Sequence, residues 1–236
     1  MRATTALRTI VGGLVLTGVL LASQPAAADV IDFRGSGRSS AVGITVLNGS
    51  TTLFSGNVMA GELNWSWLGG TPEGFTTDFY SYCVDATQYL RDPQYVSVRT
   101  TDLFSSGSAN AGAKVSWLFN TYASGVHASG TNVQGAALQL AIWEALYDSS
   151  QDLSAGSFRS NATGAILTQA QTYLTALYSS NYLGSSATWL DVDGNNPNPV
   201  FRGQDQITHG VPEPSTLLLM GVACLAMARR RRAQQA

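Results

Sequence analysis

From Ala41 to Leu47 the chain is β-branched and apolar, Asn48-Gly49 interrupts the run, and Thr51-Thr52-Leu53-Phe54 resumes it. Two such runs around Asn-Gly predict a β-hairpin. Gly69 to Gly74 reads as a loop. Phe75 to Val84 is rich in aromatic residues and predicts a strand ending at Tyr82-Cys83-Val84-Asp85, and Tyr95 to Val98 predicts another. The period then changes. Ala113, Val115, Trp117, Leu118, Phe119 and Tyr122 recur three and four apart, the spacing of one helix face. His127 to Thr131 reads as a Ser/Gly loop. A second helix is predicted over 132–147 with Asn132 as its N-cap, and a third over about 161–178, striped by Ile166, Ala170, Tyr173, Leu174 and Leu177. Thr188 to Val192 returns to a strand pattern before the turn-rich stretch 193–199. Strands, a helical group and a last strand imply an α+β class. The expected architecture is β-sandwich-like strands with an inserted subdomain of about three helices.

The two ends stand apart from this pattern. Arg2 and Arg8 precede an apolar run from Ile10 to Ala22, and Ala26-Ala27-Ala28 is a small-residue cleavage site. These are the three parts of a secretory signal peptide, assigned to residues 1–28. At the other end Leu217 to Ala228 is apolar and Arg229 to Arg232 is a basic block. The apolar run falls short of the ~20 residues a spanning helix needs, and the arginines would stay on the cytoplasmic side. Val211-Pro212-Glu213-Pro214 precedes it. Pro212, Glu213 and Pro214, then a short apolar run, then an arginine cluster, resemble the PEP-CTERM sorting signal over residues 211–236. The resemblance implies an exosortase as processing partner and transient attachment to the inner membrane. It also implies a Gram-negative cell, with the product bound for its surface or extracellular matrix.

The remaining body, residues 29–210, fits one domain. It has seven basic and fourteen acidic residues, a net charge of −7. That balance argues against nucleic acid as a partner, which needs a basic face. Lys114 is its single lysine. Of the chain's two cysteines Cys224 lies in the sorting tail, which leaves Cys83 alone in an exported body, where cysteines are usually paired. With one cysteine and only His127 and His209, no metal site is expected.

Gln139 is a polar residue in the largely apolar helical run Leu138 to Tyr147, with Gly135, Ala136, Ile142 and Trp143 one turn away. Such an amide needs buried partners. Tyr82-Cys83-Val84 and Gln139-Leu140-Ala141-Ile142-Trp143 together resemble the thioester domain of bacterial surface adhesins, over roughly residues 75–147. In that family an aromatic-Cys-aliphatic motif and a Gln-x-Ala-Ile-Trp helix supply an internal Cys–Gln thioester; Leu138 stands where members often carry threonine. The resemblance implies a bond between Cys83 and Gln139, sheltered from water by Tyr80, Tyr82 and Trp143. It implies no cofactor and no turnover. An extracellular protein amine or a polysaccharide hydroxyl would take the acyl group once, giving a covalent tether for adhesion or biofilm matrix. Two other readings stand beside it: a non-covalent matrix protein with an inactive site, and a secreted hydrolase pairing Cys83 with His127. Glu144 and Asp148, one turn apart, read as a solvated helix face rather than an acid–base pair, and 191–195 as a plain turn lacking the glutamate of a calcium loop.

Overall fold

A computed structural model describes residues 29–72, 74–100, 108–192 and 203–209. Residues 1–28, read above as a signal peptide, and the sorting tail lie outside the described residues. The strands are β1 (Asp29–Asn48), β2 (Thr51–Leu68), β3 (Asp78–Cys83), β4 (Gln94–Arg99), β5 (Phe158–Ser160), β6 (Thr188–Asp191) and β7 (Gln206–Thr208). The helices are α1 (Ala111–Ser129), α2 (Asn132–Tyr147) and α3 (Gly164–Tyr178). The fold is α+β. Seven antiparallel strands lie in the order β2-β3-β7-β6-β4-β1-β5, and β1 also pairs with β2. This extra pairing closes six of the strands into a ring, which leaves them no open edge.

The predicted hairpin is present and longer than its apolar runs. β1 and β2 pair from Val30↔Leu68 to Asn48↔Thr51, with register shifts between Phe33 and Gly35, Ser36 and Ser39, and Val46 and Leu47. The near end of the hairpin closes the ring, where Asp29 to Ile31 pair with β4. Its far end carries β5, paired at Ile44 to Val46.

Two apolar clusters follow from this arrangement. Ile31, Leu63, Trp65, Trp67, Val96, Leu190 and Val192 form the smaller one, from side chains of β1, β2, β4 and β6 and the residue after β6. The larger joins the helices to the sheet, with Tyr80, Tyr82, Cys83, Phe119, Leu138, Leu140, Trp143 and Phe158 among its members.

The helix α2 runs through the middle of this larger core. Residues 135–146 are all buried, so it has no solvent face. The prediction of Asn132 as N-cap is off by one position. Thr131 caps the helix: its hydroxyl accepts from the Gln134 N–H, and the Gln134 side chain accepts from the Thr131 N–H. This is a capping box, and the Thr-x-x-Gln spacing was there to be read. The loop expected at His127 is also displaced, because α1 continues to Ser129.

Candidate functional site

β3 delivers Cys83 and α2 delivers Gln139, and the two meet in the core. The β2–β3 ladder ends at the pair Leu63↔Ser81. Beyond it, the Gln139 side chain does what a neighbouring strand would do. Its Oε1 accepts from the Cys83 N–H at 3.0 Å, and its Nε2 donates to the Cys83 carbonyl at 2.7 Å. Gln139 is 1 % exposed and Cys83 3 %. A buried amide is thus held at both ends by the backbone of the one cysteine among the described residues.

The closeness of α2 to the hairpin sets this contact. Gly135 lies one turn before Gln139, on the same side of the helix. A Cβ on Gly135 would fall 1.8 Å from the Arg38 carbonyl oxygen, and one on Gly61 would fall 2.3 Å from the same atom. β1, β2 and α2 therefore meet around the Arg38 carbonyl with no room for side chains, and Arg38 Nε donates to the Gly130 carbonyl at the end of α1.

The thiol is engaged by local backbone. Cys83 Sγ donates to the Asp85 carbonyl at 3.1 Å and accepts from the Asp85 N–H at 3.3 Å. Burial, then the Asp85 carboxylate, push the thiol far above its ordinary range, while the Asp85 N–H and the Trp143 indole act in the opposite direction. The Trp143 Nε1–H is buried and, apart from the sulfur, meets no hydrogen-bond acceptor. Behind the sulfur, Tyr147 Oη accepts from the Ala86 N–H. A cavity of about 330 Å³ opens onto the pair and is lined by Cys83, Gln139, Trp143, Phe54, Met59 and Tyr89, among others.

Of the three aromatic residues expected around the pair, Trp143 lines this cavity and Tyr80 and Tyr82 do not. Alternation along β3 puts both tyrosines on the face opposite Cys83. Tyr82 packs edge-on against Phe119 of α1. Tyr80 lies at the far end, stacked on His127 at 4.1 Å and hydrogen-bonded to His209. His127 Nδ1 lies within hydrogen-bond distance of the buried Glu62 carboxylate, at 3.1 Å. Both histidines line a separate cavity of about 890 Å³ with Arg34, Trp65, Phe75 and Asp78. Neither histidine is on the wall beside Cys83, so the cysteine–histidine pairing of a hydrolase is not formed.

The burial of two further residues escaped sequence reasoning. Lys114, the single lysine, is 3 % exposed; its Nζ donates to Ser108 and sits 5.4 Å from the centre of the Tyr178 ring. A lone lysine in a helix pattern gives no hint of burial. Glu144, read above as part of a solvated face, is fully buried. Its Oε1 accepts from the Ser150 hydroxyl at 2.9 Å, and its Oε2 has no partner. The correction follows from α2 being enclosed on all sides.

Residues 210–232 match the family model described as the PEP-CTERM protein-sorting motif. The segment is a sorting signal. A chain with a PEP-CTERM signal is an exported protein, held transiently at the membrane and sorted to the surface by an exosortase. The signal begins one residue beyond His209, just past the end of β7, and no helix among the described residues is long and apolar enough to cross a membrane. No curated protein and no solved structure matches the chain.

Proposed function

We propose that Cys83 and Gln139 form an internal thioester, and that this PEP-CTERM protein uses it once to attach covalently to a nucleophile outside the cell. The observation that carries the reading is the two-point grip of the Cys83 backbone on the Gln139 amide. An amide is a poor electrophile, and attack on it needs both fixed geometry and donors at the oxygen that becomes charged. The grip supplies the first. The Cys83 N–H, at 3.0 Å from Oε1, supplies one donor for the second.

In the reaction Sγ attacks Cδ of Gln139, the C–S bond forms, and the Cδ–Nε2 bond breaks. The thiol proton leaves with the nitrogen as ammonia. Because burial keeps the thiol protonated, the proton passes to the departing nitrogen during the attack rather than through a free thiolate. The Cys83 carbonyl already accepts from Nε2 and orients the leaving group. Burial of both residues limits the water that reaches them through the cavity. The lysine that could attack the acyl group from within is packed away against Ser108 and Tyr178.

The intact mass of the exported, processed protein tests this. It is expected to be one ammonia below the sequence value and to rise by one methylamine after treatment with that amine. Cys83→Ala and Gln139→Ala are each expected to show neither effect. A mass equal to the sequence value and unmoved by methylamine in freshly prepared protein would refute the thioester and leave a non-covalent matrix protein.

The Trp143 indole carries a second expectation. Its N–H acts on the sulfur and has no other acceptor, the position of a donor that a developing thiolate would engage. Trp143→Phe keeps the ring in the core and removes the donor. Newly made Trp143→Phe protein should acquire the thioester about a hundredfold more slowly, the lower end of what one such donor contributes. A rate equal to wild type, followed by mass, would show that the indole serves packing alone.

A further inference from the structure

We infer that the acceptor taken by this site is a neutral polysaccharide hydroxyl, seated by the aromatic corner Phe54–Tyr89 at the cavity mouth. The inference rests on the thioester reading and narrows it from any nucleophile to one class.

The first support is the charge of the cavity wall. Cys83, Gln139 and Trp143 form its floor, and Phe33, Phe54, Val58, Met59, Tyr89 and Leu90 its apolar sides. Asn57, Gln88 and Gln204 add side-chain amides and Ser36 a hydroxyl. Among the described residues, no aspartate, glutamate, lysine, arginine or histidine lines it. Two carboxylates lie near the sulfur, Asp85 and Asp205. Neither is on the wall. Asp85 accepts from the Thr87 N–H and hydroxyl, and Asp205 accepts from the Val192 N–H.

A lysine side chain arrives as an ammonium. It would lose its water to an apolar cavity with no carboxylate to receive it, and no base there would take its proton. A sugar hydroxyl carries no charge and meets neither obstacle. Aromatic faces and side-chain amides are also the groups that suit a sugar ring, whose C–H faces are apolar and whose rim is hydroxyl.

The second support is the mouth. Tyr89 is 69 % exposed and Met59 55 %, two of the most exposed large apolar side chains among the described residues, and both line this cavity. Phe54 meets Tyr89 edge-on at 6.1 Å, which fixes the tyrosine ring at the entrance. Exposed apolar side chains gathered at one cavity mark a contact surface.

The transfer balances without an added base. The hydroxyl oxygen attacks Cδ of Gln139, the C–O bond of an ester forms, and the C–S bond breaks. The hydroxyl proton goes to the departing sulfur, which the cavity favours as a thiol.

The test treats the exported, processed protein with neutral hexasaccharides of glucose, galactose or mannose, or with a lysine-bearing peptide of similar size. Methylamine serves as a parallel report on the thioester. The expected result is a saccharide adduct, released by hydroxylamine as an ester would be, and forming faster than the peptide adduct. Tyr89→Ala should slow the saccharide adduct by about tenfold more than it changes the methylamine adduct of the same variant. Opening by methylamine with no adduct from any of the three saccharides, or with a faster and hydroxylamine-resistant peptide adduct, would overturn the hydroxyl acceptor and leave the thioester standing. No methylamine adduct at all would overturn both.

Discussion

Gly135→Ala is expected to cost this protein both stability and its thioester, although alanine is the better helix former. The added Cβ would lie 1.8 Å from the Arg38 carbonyl oxygen, 2.6 Å from its carbon and 2.7 Å from its own Cβ. The first two are backbone atoms of β1, a strand tied to β2 along its whole length, so α2 must be the part that moves. Alanine gains ~1 kcal/mol over glycine within a helix, whereas overpacking a rigid core costs ~1–3 kcal/mol and occasionally more. A helix buried from residue 135 to 146 has no side on which to relax, so the upper part of that range applies. The melting temperature should fall by about 5 °C, at 2–4 °C per kcal/mol for a domain of this size. The site should suffer more. Gln139 moves with Gly135, and a misplacement near 1 Å can cost ~100-fold in a positioned reaction, so thioester content by mass should drop at least tenfold. Gly125→Ala is the matched control. It lies in α1 with open space where its Cβ would go, and it should raise stability by ~1 kcal/mol without touching the thioester. If Gly135→Ala behaved like Gly125→Ala, the close approach at Arg38 would not be what positions Gln139.

That contact was invisible in the sequence, and the reason is physical. Glycine in a helical pattern reads as a weak point, not as the place where a strand backbone presses against the helix. Signals that depend on local chemistry fared better. Asn48-Gly49 gave the hairpin turn because only a few residues suit that turn, and the apolar run around Gln139 gave α2 its bounds. β1 and β2 were underestimated because Phe33 to Ser40 is polar and glycine-rich, and its bulges break the alternation that marks a strand. Closure of the sheet depends on Asp29 to Ile31 pairing with Gln94 to Val96, more than sixty residues away, and no local pattern encodes such a partner. The contact between Cys83 and Gln139 was suggested by resemblance, not by periodicity. Tyr80 and Tyr82 were grouped with Cys83 as neighbours in sequence, yet Tyr82 is on the opposite face by the two-residue period of the strand, and Tyr80 shares that face.

Glu144 was misjudged for a related reason, and its burial yields the second large effect. Exposure was inferred from the residue type, because glutamate is seldom fully buried. In the fold it has no exposure, with one oxygen on Ser150 and the other unpartnered. Burial, reinforced by Asp148 and Asp152 and opposed by the Ser150 hydroxyl, pushes its carboxyl up to about 7 from an ordinary 4.5. An acid whose folded value is raised favours the folded state in its neutral form. The contribution is complete below pH 4.5, fades as pH rises, and is lost above 7. At pH 8 the ionised carboxylate therefore burdens the fold by on the order of 3 kcal/mol relative to pH 4. Glu144→Gln keeps the shape and an oxygen for Ser150, and removes the charge. Its melting temperature should match wild type at pH 5 within about 2 °C, and exceed it by about 5–10 °C at pH 8, at 2–4 °C per kcal/mol. Wild-type stability should decline between those two values and the variant's should decline less. Thermal melts of both proteins at pH 5 and pH 8 decide the matter. The same gap at each pH would mean that Glu144 is already charged or already neutral throughout, and that its unpartnered oxygen is met by water.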